Sequence, residues 1–233
     1  MKMKQEMKLQ AFELTKIFAH PSKEMTNIPL FAGATFEMST NKMNFLIGPS
    51  GMGKTTLIKI LMSIEPINAG EIFFNDQPIH TLTNKERSSY LQKIGYMNQF
   101  PAKYLSLELT VHQNLTYALF LHSKLPRKQG KKIIQSTAEI FNIQLLLHQR
   151  TLFLSGGELR RLSLACSTIF QPMILFCDEP TAQLDQESKK AVMQTIMKLQ
   201  KETNCLIVIA THDQSIIDIG NVFEIKERRI HKW

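Results

Sequence analysis

One segment of this 233-residue chain reads Gly48-Pro49-Ser50-Gly51-Met52-Gly53-Lys54-Thr55-Thr56. The residues before it, 43–47, are mostly apolar and lack glycine and proline, so they predict a β-strand. The residues behind it, 57–62, predict a helix. A loop with the spacing G-x-x-x-x-G-K-[ST] between a strand and a helix is typical of a phosphate-binding loop.

The residue types of this loop suit the binding of a nucleotide. Its glycines allow successive backbone N–H groups to turn inward around a phosphate, and the positive end of the following helix adds to that field. Lys54 would reach the β- and γ-phosphates, and the Thr55 hydroxyl would ligate Mg²⁺. The alternative is a glycine-rich turn with a chance lysine. The predicted strand and helix on either side favour ATP or GTP binding.

The composition is that of an ordinary globular protein, with 43% hydrophobic and 21% charged residues. The net charge of +8 suits an anionic partner such as a nucleotide, a phospholipid surface or a nucleic acid. Basic pairs are scattered along the chain, and we interpret them as solvated surface rather than as a nucleic-acid-binding stripe. These pairs are Lys131-Lys132, Arg160-Arg161, Lys189-Lys190 and Arg228-Arg229.

The three cysteines, Cys166, Cys177 and Cys205, lie in apolar segments. This predicts core packing in a reducing compartment rather than a disulfide framework. The N-terminus has charges without an apolar run, so no signal peptide is visible, and no apolar segment is long enough to span a bilayer. We therefore expect any membrane role to come through a partner.

Strands and helices follow one another along the chain. Residues 9–15 and 30–38 alternate in hydrophobicity and predict strands, separated by a polar loop at 20–27. Phe18 lies just ahead of that loop, where it would stack on an adenine ring or serve as an ordinary strand residue; the sequence leaves both open. Residues 99–153 predict an inserted helical region, with amphipathic segments at 111–121 and 131–141.

A second informative segment, Leu154-Ser155-Gly156-Gly157-Glu158, precedes a predicted helix. Ser155 and Glu158 form an S-x-x-E capping box. The two glycines leave the helix N-terminus bare, so that its N–H groups could face an anion. A routine helix start is the alternative, and the presence of a phosphate-binding loop in the same chain favours the anion site.

Candidate site residues follow four predicted strands. Gly48 follows 43–47, Gln99 follows 93–98, Asp178 follows 173–177, and His212 comes two residues after 206–210. Open α/β sheets bind ligands at the carboxyl ends of their strands, so we expect these positions to converge. Asp178 would hold Mg²⁺, and the adjacent Glu179 would polarise the water that attacks the γ-phosphate.

These motifs together resemble the ATP-binding subunit of ABC transporters over essentially the whole chain. The set comprises a Walker A loop at 48–56, a Q-loop at Gln99, an LSGGE signature at 154–158, a Walker B strand with Glu179, a TAQLD D-loop at 181–185 and a switch at His212. Glu158 at the end of the signature is similar to exporters of the lipoprotein-releasing and macrolide-efflux type.

The resemblance implies an α/β fold: a P-loop NTPase with a RecA-like parallel-sheet core, an N-terminal antiparallel β subdomain and an inserted α-helical subdomain. A single ABC ATPase domain would occupy 1–233. Residues 1–98 and 171–233 would form the β subdomain and the RecA-like core, and residues 99–170 would form the helical signature subdomain.

The resemblance also implies a head-to-tail homodimer, or a paired ATPase subunit, with two ATP molecules at the interface. Each ATP would contact Phe18 and the nine loop residues of one subunit, and Ser155, Gly156 and Gly157 of the other. Asp185 is a further implied nucleotide-binding residue, which would help to couple the two sites. The implied catalytic residues are Glu179, His212, Lys54 and Gln99, and the implied Mg²⁺ ligands are Thr55, Gln99 and Asp178. An integral membrane permease would be the partner, which would place the chain in the cytoplasm, peripheral on the inner face of the cell membrane.

Three functional interpretations follow. The leading one is an ATP-hydrolysing subunit that drives a separate transmembrane partner, of export type. The second is an ABC ATPase without transport, coupled to a cell-envelope, division or cofactor-assembly complex. The third is a binding module in which ATP gates assembly, which the presence of both Glu179 and His212 disfavours. The DNA-repair relatives insert long coiled coils before the signature, and this chain shows no sustained heptads.

Overall fold

The computed structural model describes residues 6–18, 29–123, 125–217 and 220–233. The chain forms two compact units. The first unit contains Met1–Leu91 and Leu206–Trp233, and the second contains Gln92–Cys205. The described residues combine helices with an antiparallel sheet and mostly parallel strands, so the predicted α/β class is confirmed.

The described residues form ten strands and six α-helices. The strands are β1 (Lys8–Ile17), β2 (Pro29–Ser39), β3 (Met43–Ile47), β4 (Ala69–Phe74), β5 (Gln77–Pro78), β6 (Ile94–Met97), β7 (Ile174–Asp178), β8 (Leu206–Thr211), β9 (Gly220–Lys226) and β10 (Arg229–Lys232). The helices are α1 (Lys54–Leu61), α2 (Asn84–Leu91), α3 (Val111–His122), α4 (Arg127–Ile140), α5 (Gly156–Thr168) and α6 (Gln186–Glu202).

An antiparallel sheet in the first unit has the strand order β2-β1-β4-β5. Its centre, β1, buries Leu9 and Ala11 and then shifts register, so that Leu14 and Lys16 are the next buried residues. Glu13 lies at this irregularity with a φ of 49°. The shift places Leu14 on the covered face, where two-residue alternation alone would have placed Glu13.

The remaining strands of the first unit lie in the order β10-β9-β3-β8. β3 pairs in parallel with both β8 and β9, and all five of its residues are buried. Asn44 provides the polar contacts within this layer: its Nδ2 donates to Ser39 O at 3.0 Å and to Ile207 O at 3.1 Å. Its Oδ1 accepts from Asn221 Nδ2 at 3.2 Å. One side chain therefore joins the start of β3 to the strands on both sides of it.

The second unit packs helices against two parallel strands, β6 and β7. α5 lies closely over β6, because a Cβ at Gly95 would come within 2.2 Å of Ser167 O. Ser167 Oγ also donates to Tyr96 O at 2.9 Å. α3 begins at a capping box between Thr110 and Gln113. This unit therefore holds the signature helix in a fixed position on β6.

Candidate functional site

The Walker A loop connects β3 to α1, as predicted. Gly51 and Gly53 have φ values of 81° and 96°, in the left-handed region that favours glycine. Gly53 caps α1 without a side-chain hydrogen bond, and a Cβ there would lie 2.8 Å from Leu30 Cδ2. Both backbone conformation and packing therefore require the glycine before Lys54.

Lys54 folds back over the loop that precedes it. Its side chain is buried, and its Nζ donates to Gly48 O at 2.7 Å and to Pro49 O at 3.1 Å. Pro49 and Ser50 are exposed, whereas Thr55 is half-buried in the first turn of α1. The loop thus presents its exposed backbone and an ammonium group on one short segment, which is an arrangement suited to a phosphate.

Two further predicted residues belong to the first unit. Phe18 follows β1 and is 47% exposed, and Lys16 Nζ lies 4.6 Å from the centre of its ring. Its adenine-stacking role stays a prediction. His212 follows β8 and is exposed, while the preceding Thr211 is buried and accepts a hydrogen bond from Asp213 N. The carboxyl end of β8 therefore presents the histidine to solvent, as its predicted role requires.

The predicted carboxylate pair lies at the carboxyl end of β7 in the second unit. Asp178 is the last residue of the strand, and both Asp178 and Glu179 are buried. Glu179 adopts a left-handed φ of 50°, which is uncommon for a residue other than glycine. Burial, followed by the Asp178 charge, raises the pKa of Tyr96 to about 12, and the Tyr96 hydroxyl hydrogen-bonds to Asp178. Tyr96 is a contact of the site that sequence reasoning missed.

Gln99 lies two residues beyond the end of β6 and is half-buried. The preceding residue fixes this turn: Asn98 Nδ2 donates to the Tyr96 hydroxyl at 3.0 Å, and Asn98 Oδ1 accepts from Phe100 N at 2.9 Å. The Q-loop position is therefore held on the same strand whose Tyr96 contacts Asp178.

The signature segment begins α5 as the sequence predicts. Ser155 is the N-cap, its Oγ accepts from Glu158 N, and Glu158 Oε2 accepts from Ser155 N at 2.8 Å. The Ser155 hydroxyl also donates to Glu158 Oε2 at 2.8 Å, and the two hydrogen bonds from the Ser155 backbone N–H and hydroxyl to this carboxylate lower the pKa of Glu158. Ser155 and Gly156 are exposed, and Gly157 is buried. The capping box is confirmed, and the N-terminus of the helix faces solvent at its first residues.

Asp185 caps the next helix. Its Oδ1 accepts from Ser188 N at 2.9 Å at the start of α6, and this hydrogen bond lowers the pKa of Asp185. The D-loop residue therefore has a local structural task besides its predicted contact with ATP.

The interpretation of the basic pairs as solvated surface is wrong for Arg160. Its side chain is buried, and its guanidinium donates to Glu179 O and to Ala182 O. Burial lowers the pKa of Arg160, and the Glu179 charge opposes that shift. The sequence alone gave no reason to place this arginine beside the Walker B glutamate.

The predicted site residues divide between the two units. Phe18, the loop 48–56 and His212 belong to the first unit, whereas Gln99, the signature, Asp178, Glu179 and Asp185 belong to the second. Among the described residues, no group of three or more His, Cys, Asp or Glu side chains could hold a metal ion. The predicted Mg²⁺ ligands are a hydroxyl, an amide oxygen and one carboxylate. Such a set fits Mg²⁺ if nucleotide phosphates and water complete its coordination.

The family model for the ABC transporter matches residues 31–182, which include the Walker A loop, the signature and both Walker B carboxylates. The chain belongs to the ABC transporter family. This membership assigns it ATP binding and ATP hydrolysis. Within the part of the chain that the structure describes, no helix is both long and apolar enough to cross a membrane.

Known relatives cover most of the chain. It is 31% identical over 205 residues to "Probable ABC transporter ATP-binding protein p29" of Mesomycoplasma hyorhinis, covering 84% of this chain and 80% of the relative. It is 30% identical over 213 residues to the lipoprotein-releasing system ATP-binding protein LolD 1 of Rhodopirellula baltica, covering 90% and 89%.

A solved structure shares the whole fold. That structure, cbiO1 from Clostridium perfringens, described as part of the ABC transporter complex cbiONQ, superposes with a TM-score of 0.85 at 28% identity. The match covers 96% of this chain and 86% of the cbiO1 chain. The predicted P-loop NTPase fold of an ABC ATPase is therefore confirmed, and the resemblance to lipoprotein-releasing ATPases is confirmed as a sequence similarity.

Proposed function

We propose that this chain is the ATPase subunit that drives a separate transmembrane permease, with an export-type partner. The observation that supports hydrolysis most directly is the buried Asp178–Glu179 pair at the carboxyl end of β7. In this proposal Asp178 holds Mg²⁺ together with Thr55 and Gln99, and Glu179 polarises the attacking water. Lys54 and His212 contact the γ-phosphate, and Mg²⁺ neutralises charge on the phosphates.

The proposed assembly is a head-to-tail dimer around two ATP molecules. The exposed N-terminus of α5 supports it, because Gly156, the first residue of the helix, is exposed where a phosphate of the other subunit's ATP would bind. We also propose that the chain is one ABC ATPase domain, with residues 99–170 as its helical signature subdomain. The chain would act at the inner face of the cell membrane.

A cavity in the second unit supports docking of a permease. It has a volume of about 300 Å³, and its lining includes Tyr96, Tyr104, Tyr117, Leu121, His122 and Phe170. Tyr117 and Leu121 are largely exposed on α3, and the rings of His122 and Phe170 stack with centroids 3.8 Å apart. An aromatic cavity beside α3 suits an apolar helix of a partner.

Affinity capture from detergent-solubilised membranes tests the proposal. The bait is tagged Glu179→Gln chain with ATP and Mg²⁺, since stalled hydrolysis should retain the closed dimer on its partner. Lys54→Ala, which should not bind ATP, is the matched control. We expect a protein with several membrane spans to be recovered with the Glu179→Gln bait and lost with the control. Recovery of soluble proteins alone, or of none, would instead favour the ABC ATPase without transport.

A further inference from the structure

Arg160 is a buried arginine that binds backbone carbonyl groups of a neighbouring loop. It lies on α5, five residues after the N-cap Ser155, and its side chain is only 6% exposed. Nη1 donates to Glu179 O at 3.0 Å and Nη2 donates to Ala182 O at 2.6 Å. A buried guanidinium must find acceptors, and here the two ends of one turn provide them.

The turn that Arg160 holds has an unfavourable backbone. Ala182 N donates to Glu179 O at 3.2 Å and closes it. Glu179 at its start and Gln183 directly after it both have left-handed φ values, 50° and 60°. Residues other than glycine keep such conformations only where surrounding contacts hold them. The guanidinium supplies two of these contacts, one on each side of the turn.

We propose that Arg160 is a positioning residue that fixes the backbone of Glu179 and the start of the D-loop to the signature helix. The inference rests on the proposed role of Glu179 in activating water. The Glu179 carboxylate is attached to the backbone whose carbonyl Arg160 binds, so loss of the guanidinium frees the carboxylate to shift. A catalytic group displaced by about 1 Å can lose about a hundredfold in rate.

Steady-state ATP hydrolysis by Arg160→Met and Arg160→Lys tests the inference. Methionine fills a similar length without a donor, and lysine keeps the charge and one point of donation. We expect the methionine variant to lose at least tenfold in kcat while KM for ATP changes less than about threefold. The lysine variant should have an intermediate kcat. Faster amide exchange at residues 181–184 should accompany the loss in both variants.

A destabilised control separates positioning from general loss of stability. Ile134→Ala removes a buried side chain from α4 in the same unit and should lower the melting temperature without touching the Glu179 turn. The inference is wrong if Arg160→Lys and Arg160→Met have the same kcat as the Ile134→Ala control when all three variants have the same melting temperature. It is also wrong if kcat falls without faster amide exchange at residues 181–184. Undiminished turnover by Glu179→Gln would instead overturn the proposed function itself.

Discussion

Replacing Gly156 by alanine should leave the fold intact and weaken the proposed ATP-dependent dimer. Gly156 is the first residue of α5, it is exposed, and its φ is not in the left-handed region. A Cβ built there meets only Leu184 Cδ2, at the ordinary contact distance of 3.5 Å. Alanine exceeds glycine in helix propensity by at most about 1 kcal/mol. The melting temperature should therefore stay constant or rise by up to about 4 °C.

The added methyl group should instead weaken dimerisation. No contact among the described residues requires glycine at position 156. We therefore attribute this glycine to the proposed close approach of a γ-phosphate. A lost hydrogen bond to a charged group costs about 1.5–3 kcal/mol. The ATP-dependent dimerisation constant should therefore weaken by about 10- to 150-fold.

Sedimentation velocity in a Glu179→Gln background, with ATP and Mg²⁺, measures dimer formation, and thermal melting measures the fold. Gly95→Ala is the matched control, because its Cβ would lie 2.2 Å from Ser167 O and should lower the melting temperature clearly. If Gly156→Ala dimerises at the same protein concentration as the parent protein, the proposed phosphate contact is refuted. A melting temperature lowered by several degrees would refute the inference that position 156 has room for a methyl group.

Three further substitutions test the structure and the site. Asn44→Ala should lower the free energy of unfolding by more than about 2 kcal/mol, because the Ile207 carbonyl and other buried groups lose their partner; urea unfolding measures this. Glu158→Gln should lower stability most above pH 4.5, the ordinary pKa of Glu158. Ser155 lowers that pKa in the folded state, so the difference between the two proteins in urea midpoint should vanish as the pH falls through it. Lys54→Ala should abolish the rise in melting temperature on adding ATP, since it removes the ammonium that would meet the phosphates.

Strong hydrophobic patterns predicted the elements that carry the site. The strand before the Walker A loop and the buried runs that became β7 and β8 were placed within one residue of their observed bounds. α2 was not predicted, because only Tyr90 in it is buried and no apolar period marks it. The available signal was a capping box, in which Thr83 N donates to Glu86 Oε2 at 2.9 Å.

The order of predicted strands along the chain identified candidate residues at strand ends. It could not predict contacts between segments that are distant in sequence. Asp178 follows from the apolar run before it, since a buried parallel strand brings its carboxyl end to the ligand edge. Tyr96 interacts with Asp178 although it lies 82 positions earlier in the chain. The sequence around Tyr96 contains no pattern that predicts this interaction. Arg160 was interpreted as solvated surface because the basic pairs are scattered along the chain. Only its hydrogen bond to the Glu179 carbonyl reverses that interpretation.

α5 carries the signature at its start and contacts two other segments of the second unit along its length. Its first turn carries the exposed Gly156 of the signature, its second turn places Arg160 on the Glu179 carbonyl, and in its last turn Ser167 Oγ donates to Tyr96 O on β6. Gln99 lies just beyond that strand. Because a helix is stiff over this length, a force on its N-terminus reaches the Glu179 turn and the strand leading to Gln99 together. Binding of a phosphate at the signature would thus act on Glu179, the residue proposed to activate water, and on the predicted Q-loop through one element.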